Sequence, residues 1–147
     1  MQNILFFGLT TVDIFNFVKS YPGSNGKVRA EEQMVYAGGP AANGSVACSA
    51  LGKRTTLITG LGKHPLAGLS KNDLAQNGVK LLDWPEHPEQ LPVLSSITVD
   101  LNNGDRSVIY TDTEKRNLSL EKEPEDILTG VSLIMFDGYF IDQALEI

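Results

Sequence analysis

Gly38-Gly39-Pro40-Ala41-Ala42-Asn43-Gly44-Ser45-Val46-Ala47-Cys48-Ser49-Ala50-Leu51-Gly52 is the stretch that sets the fold class. Proline is tolerated at the first position of a helix, and glycine is the usual residue just past the last turn. Residues 41–51 therefore read as a helix ended by Gly52. Ala42, Val46 and Ala50 recur at four-residue spacing, and such small side chains let a helix lie close against a sheet. Upstream, Ile4-Leu5-Phe6-Phe7, broken by Gly8, is too short for a stable helix and reads as a buried parallel strand. Downstream, residues 55–61 are β-branched and apolar, hence a second strand. Pro65 opens a further helix that runs to Asn77 and stops at Gly78. The order strand, loop excursion, helix, strand, helix is that of a doubly wound parallel sheet.

The remaining segments are placed around that frame. Thr10, Thr11 and Asp13 read as a loop after the first strand, and residues 21–26 as a turn-rich stretch leading into a polar strand over 27–37. Residues 83–92, rich in Pro and Glu, read as a surface loop. Ile97, Val99 and Leu101 alternate with Thr98 and Asp100, Asn102-Asn103-Gly104-Asp105 is a hairpin turn, and residues 106–110 return. This hairpin is expected as an antiparallel appendage. Residues 121–126 read as an acidic solvated face, 132–136 as a third buried strand, and 142–147 as the first turns of a helix. Three parallel strands and a final helix too short to cover a sheet face read as the N-terminal portion of something longer.

The 147 residues fit one compact unit or part of one, and 41% apolar residues is ordinary for a globular chain. Twelve Lys+Arg against eighteen Asp+Glu give a net charge of −6, which lacks the basic footprint of non-specific nucleic-acid binding. The single Cys48 can form no intrachain disulfide, and no Cys/His cluster has zinc-ligand spacing. No basic leader opens the chain at Met1-Gln2-Asn3-Ile4, and no apolar run spans a membrane, so a cytoplasmic location is expected.

Ligands of open parallel sheets bind beyond the carboxyl ends of the strands, and three features fall there. Asp13 is either an acceptor for two neighbouring hydroxyls of a sugar or polyol, or a turn residue or helix cap. The Gly38-Gly39 pair either exposes amides to a ligand at a helix start or serves a loop needing positive φ. Asn43, in that helix's first turn, offers both a donor and an acceptor. His64, with no nearby Cys, Ser or second His, reads as a turn residue before a general base, and His87 has no evident partner. Gly60-Leu61-Gly62 lacks the third glycine of a dinucleotide fingerprint, and no GxxxxGK[ST] is present.

The set Gly8-Leu9-Thr10-Thr11-Val12-Asp13, then Gly38-Gly39-Pro40-Ala41-Ala42-Asn43 with Ala47, Ala50, Leu51 and Gly52, resembles the ribokinase-like carbohydrate kinases, the PfkB family. Residues 55–62, 74–79 and the Asn103-Gly104-Asp105-Arg106 hairpin continue the likeness over essentially the whole chain, most closely in the ketohexokinase branch. The resemblance implies a three-layer αβα domain with a small antiparallel β lid, formed near residues 14–37 and 93–112. It implies ATP- and Mg2+-dependent phosphorylation of a hydroxyl on a sugar or nucleoside. Asp13, Gly38, Gly39 and Asn43 would hold sugar hydroxyls, Arg106 would point toward them, and the lid would make a homodimer contact. Three departures stand out. Lys63-His64 replaces the acidic residue common in relatives after the second strand's Gly, and Pro40-Ala41 occupies the glycine loop. The family's Gly-Ala-Gly-Asp turn, which carries the general base and the phosphate-binding amides, is absent from these residues. The expectation is a sugar-binding half with no catalytic residue, no metal site and no nucleotide site, inactive alone. The alternatives are a non-catalytic polyol-binding module and an interaction protein that pairs through the lid.

Overall fold

In the computed structural model, residues 3–113 and 116–147 are described, and they form two four-stranded sheets. Met1 and Gln2, in the stretch read for a basic leader, lie outside the described residues. The main sheet runs in the order β5 (Lys80–Asp83), β4 (Arg54–Thr59), β1 (Asn3–Phe7), β8 (Val131–Phe136), all parallel. Helices α1 (Pro40–Ala50) and α2 (Ala67–Gln76) cross from β1 to β4 and from β4 to β5 and cover one face. There Phe6 and Leu57 pack with Ala41, Ala42, Ala67 and Leu74. The other face carries Leu5, Phe7 and Ile58 against Trp84, Leu118 and Ile127, with Phe140 and Ala144 behind them. Ile127 belongs to α3 (Pro124–Leu128) and Ala144 to α4 (Ile141–Ala144). Burial on both faces is the reason Ile4-Leu5-Phe6-Phe7 is continuously apolar rather than alternating.

Several expectations change. The sheet has four strands because β5, only four residues long, adds to its edge. The segment after β1 is not a loop: β2 (Thr11–Val18) is a strand, antiparallel to β3 (Glu32–Gly38). The hairpin of β6 (Leu94–Asp100) and β7 (Arg106–Tyr110) is antiparallel and stands outside the main sheet, as expected, but it does not stand alone. β6 lies parallel to β2, so all four strands form a second, mixed sheet ordered β3-β2-β6-β7. Its turn closes as expected, with the Gly104 amide donating to the Asp100 carbonyl and Gly104 at a φ of +79°.

The buried stripe of α1 is Ala41, Ala42 and Ser45, whereas Ala50 is exposed. The second helix begins two residues later than expected, at Ala67, and the second strand spans 54–59. Residues 83–92 are more than a surface loop: Trp84 is buried, and Pro85 bridges to Leu118. Within the acidic stretch, Pro124 starts α3, whose Ile127 closes the second core cluster.

Candidate sugar-binding site

Register across the second sheet sets the site. Asp13 on β2 stands opposite Tyr36 on β3 and Ser95 on β6, and Ser95 stands opposite Tyr110 on β7. Directly paired residues project from the same face, so these four form one row. The next row holds Met34, Phe15, Ile97 and Val108, and the one after it Glu32, Phe17, Val99 and Arg106. Phe15 lies edge-on to Tyr36 at 6.1 Å and stacks on Phe17 at 6.2 Å, which stiffens this face.

Asp13 separates two cavities. One of about 450 Å³ is lined by Asp13, Phe15, Tyr36, Asn43 and Asp73 among others. The second, of about 220 Å³, is lined by Asp13, Gly39, Ser95, Tyr110 and Tyr139 with their neighbours. One Asp13 oxygen accepts a 2.5 Å hydrogen bond from the Thr11 hydroxyl, and the other has no protein donor among the described residues. That second oxygen is an acceptor open to a ligand hydroxyl.

The glycines make room for this arrangement. A Cβ on Gly38 would overlap the Asp13 carboxylate, and one on Gly39 would meet the Leu9 carbonyl oxygen. Gly39 also takes a φ of +95° as the N-cap of α1, where an L side chain is strained. Asn43 lies exposed one turn into that helix. The structure thus brings Asp13, Gly38, Gly39 and Asn43 together. Arg106 lies two rows from Asp13, roughly 13 Å along the strands, and its place beside the cavity is taken by Val108 and Tyr110. Arg116 lines an adjoining cleft with Tyr139. Partial burial lowers its pKa from the ordinary arginine value and the nearby Asp112 opposes that shift.

Three aspartates that the sequence reading passed over hold the surrounding loops. Asp137, after β8, accepts from the Leu9 and Ala41 amides at 2.9 and 3.1 Å and from the Tyr139 amide at 3.0 Å. Asp83, ending β5, accepts from the Leu61 and Gly62 amides and pairs with Lys71 at 2.5 Å. Asp73 on α2 accepts from the Ala37 amide at 2.8 Å. The available sequence signal is the placement of Asp83 and Asp137 at strand ends. His64 is a turn residue: its Nδ1 accepts from the Leu66 amide at 3.2 Å.

The start of α1 does not fit a nucleotide phosphate. The Ala41 amide at the start of α1 already serves the Asp137 carboxylate, whose charge opposes a second anion there. No group of three potential metal ligands occurs among the described residues. No described helix is long and apolar enough to cross a membrane.

The pfkB family carbohydrate kinase profile matches residues 1–146. This chain belongs to the pfkB family of carbohydrate kinases. It is 28% identical to mouse (Mus musculus) ketohexokinase over 137 residues, covering 93% of this chain and 46% of the relative. Among solved structures, a candidate ribokinase from Agrobacterium tumefaciens superimposes with a TM-score of 0.85 at 21% identity, covering 99% of this chain and 47% of its own. The Arabidopsis thaliana ribokinase complexed with ribose and ATP gives 0.63 at 16% identity, covering 92% and 44%. The chain therefore has the ribokinase-like αβα fold and spans a little under half the length of these proteins.

Proposed function

We propose that these 147 residues are the sugar-binding half of an ATP-dependent carbohydrate kinase. The observation that carries this reading is the convergence of Asp13 and Asn43 on one cavity beneath the second sheet. The open oxygen of Asp13 accepts a hydrogen bond from a sugar hydroxyl, while the Asn43 amide both donates and accepts. Gly38 and Gly39 let backbone and ligand approach where any side chain would intrude. Tyr36, Phe15 and Tyr110 supply flat apolar surface for the sugar's C–H faces. The second sheet acts as a lid over the ligand, and Arg106 points toward the site from the far end of that sheet. The acceptor is a sugar or nucleoside, a neutral polyol that a carboxylate and an amide suit.

In the whole enzyme, ATP with Mg2+ supplies the transferred phosphoryl group. Among the described residues the amide at the start of α1 is taken by Asp137, and the sequence holds no Gly-Ala-Gly-Asp turn, so the isolated 147-residue polypeptide is catalytically inactive on this proposal. It binds its sugar and pairs with a second copy through the lid, in a cytoplasmic setting. Support for sugar and nucleotide use comes from the family match and from the ribose and ATP held by the Arabidopsis protein.

Calorimetric titration of this polypeptide with ketoses, aldopentoses and nucleosides tests the reading. One of these classes is expected to bind, and Asp13→Ala to weaken it about tenfold or more, the worth of a hydrogen bond to a charged group. Binding that is unaffected by Asp13→Ala, or no heat with any class, would refute it. So would ADP release by the polypeptide with ATP and any sugar, for the inactive part of the proposal.

A further inference from the structure

Helix α1 has no cap of its own. Its N-cap is Gly39, which has no side chain to satisfy the first amides, and which must be glycine for its φ of +95° and its approach to Leu9. The cap comes from across the molecule. A single oxygen of Asp137, Oδ2, accepts from the amides of Leu9 and Ala41, while Oδ1 accepts from Tyr139. Gly8 makes room for this carboxylate, because a Cβ there would overlap it. The carboxylate also sits at the positive end of the helix dipole, which strengthens each bond.

The three segments tied to Asp137 all reach the smaller cavity: Leu9 ahead of Thr11 and Asp13, Gly39 at the start of the helix carrying Asn43, and Tyr139. Its remaining wall comes from Val93, Ser95, Val108, Tyr110 and Thr113. We infer that Asp137 is a positioning residue of the ligand site. It fixes the distance between Asp13 on the second sheet and the Gly39–Asn43 turn from behind the site, since Asp137 itself lines neither cavity and spends three bonds on backbone amides. The inference rests on the sugar-site reading for its functional consequence, and on the hydrogen bonds alone for its structural one.

The test uses the 147-residue chain with Asp137→Ala and Asp137→Asn, D-fructose and D-ribose as probes, and amide hydrogen exchange as a ligand-independent readout. Asp137→Ala is expected to speed exchange at Leu9 and Ala41 roughly tenfold or more, with Leu57 and Leu74 unchanged, and to weaken binding of whichever probe the parent chain binds by a similar factor. Asp137→Asn keeps an oxygen where both amides converge but sets its NH2 against the Tyr139 N–H, donor to donor, so it is expected to restore slow exchange at Leu9 and Ala41 and part of the affinity. Ile127→Val, a core change on the far face of the sheet, controls for general destabilisation and is expected to lower the melting temperature without changing affinity.

Unchanged exchange in Asp137→Ala would overturn the inference whatever the sugar data. Faster exchange with unaltered affinity would overturn the positioning role, as would equal loss of affinity in Ile127→Val. If the parent chain and both Asp137 variants bind neither probe, nor any ketose, aldopentose or nucleoside, the sugar-site reading and with it the functional role of Asp137 fall. Exchange at Leu9 and Ala41 then decides the structural tie alone.

Discussion

At Gly39 the backbone does what no other residue does without strain, and the surrounding atoms leave no space for a side chain. Gly39→Ala is expected to cost about 1–3 kcal/mol of stability from the positive φ alone, with more from the collision with Leu9. Urea unfolding monitored by circular dichroism measures it, and a change within about 0.5 kcal/mol of zero would contradict the strain argument. Gly38, Gly39 and Asn43 are legible in the sequence because a glycine pair ahead of a small-residue helix is a local signal. Asp13 is visible there as a carboxylate after a strand, but its setting is not, since its row of partners is created by β3, β6 and β7. Asp137 likewise shows only as a carboxylate at a strand end, because its bonds reach Leu9 and Ala41 across sequence separations of 128 and 96 residues.

Elements show a similar division. The first strand and α1 are strong local patterns, and both occur near where the pattern puts them. In β2, Asp13 interrupts the apolar residues on the face that lines the cavity, and Asn16 does so on the opposite face, where its side-chain oxygen accepts from Gln33. Its polar positions look like a loop until the sheet is assembled. The four residues of β5 are too few to carry any period, and β4 alone recruits them to the edge.

Helix α2 reaches the core mainly through Ala67, Ser70 and Leu74, with Leu74 fully buried in the cluster under β4 and β5. Leu74→Ala is expected to destabilise by about 2–5 kcal/mol through lost burial and the cavity left behind. Thermal and urea unfolding check this, and a loss under about 1 kcal/mol would mean that the helix can collapse into the gap. Because Asp73 on the same helix holds the end of β3, the variant is also expected to loosen the second sheet at Ala37.

At the scale of the whole molecule, the second sheet projects an outer row of Val35, Ile14, Ser96 and Ile109, with Ile109 78% exposed. A row of this kind is a candidate for pairing between copies. On the proposal of a lid-mediated homodimer, Ile109→Asp is expected to convert the dimer to monomer in light scattering. Leu133→Lys, on the exposed side of β8 in the other sheet, is expected to leave it intact. The reverse pattern would move the contact to the β8 edge, and a monomeric parent chain would remove the proposal.

The amino-acid sequence by itself determined the α/β class, the strand–helix–strand order through α2, the glycine turn and the family likeness. Each of these is written in residues close together, where periodicity, caps and turn chemistry act. Tertiary structure decided the rest: a four-stranded main sheet, a mixed rather than antiparallel second sheet, the row that carries Asp13, and the aspartates that bind loops together. Those features depend on strand pairing and on hydrogen bonds between distant segments, and such partners exist only once the chain has closed on itself.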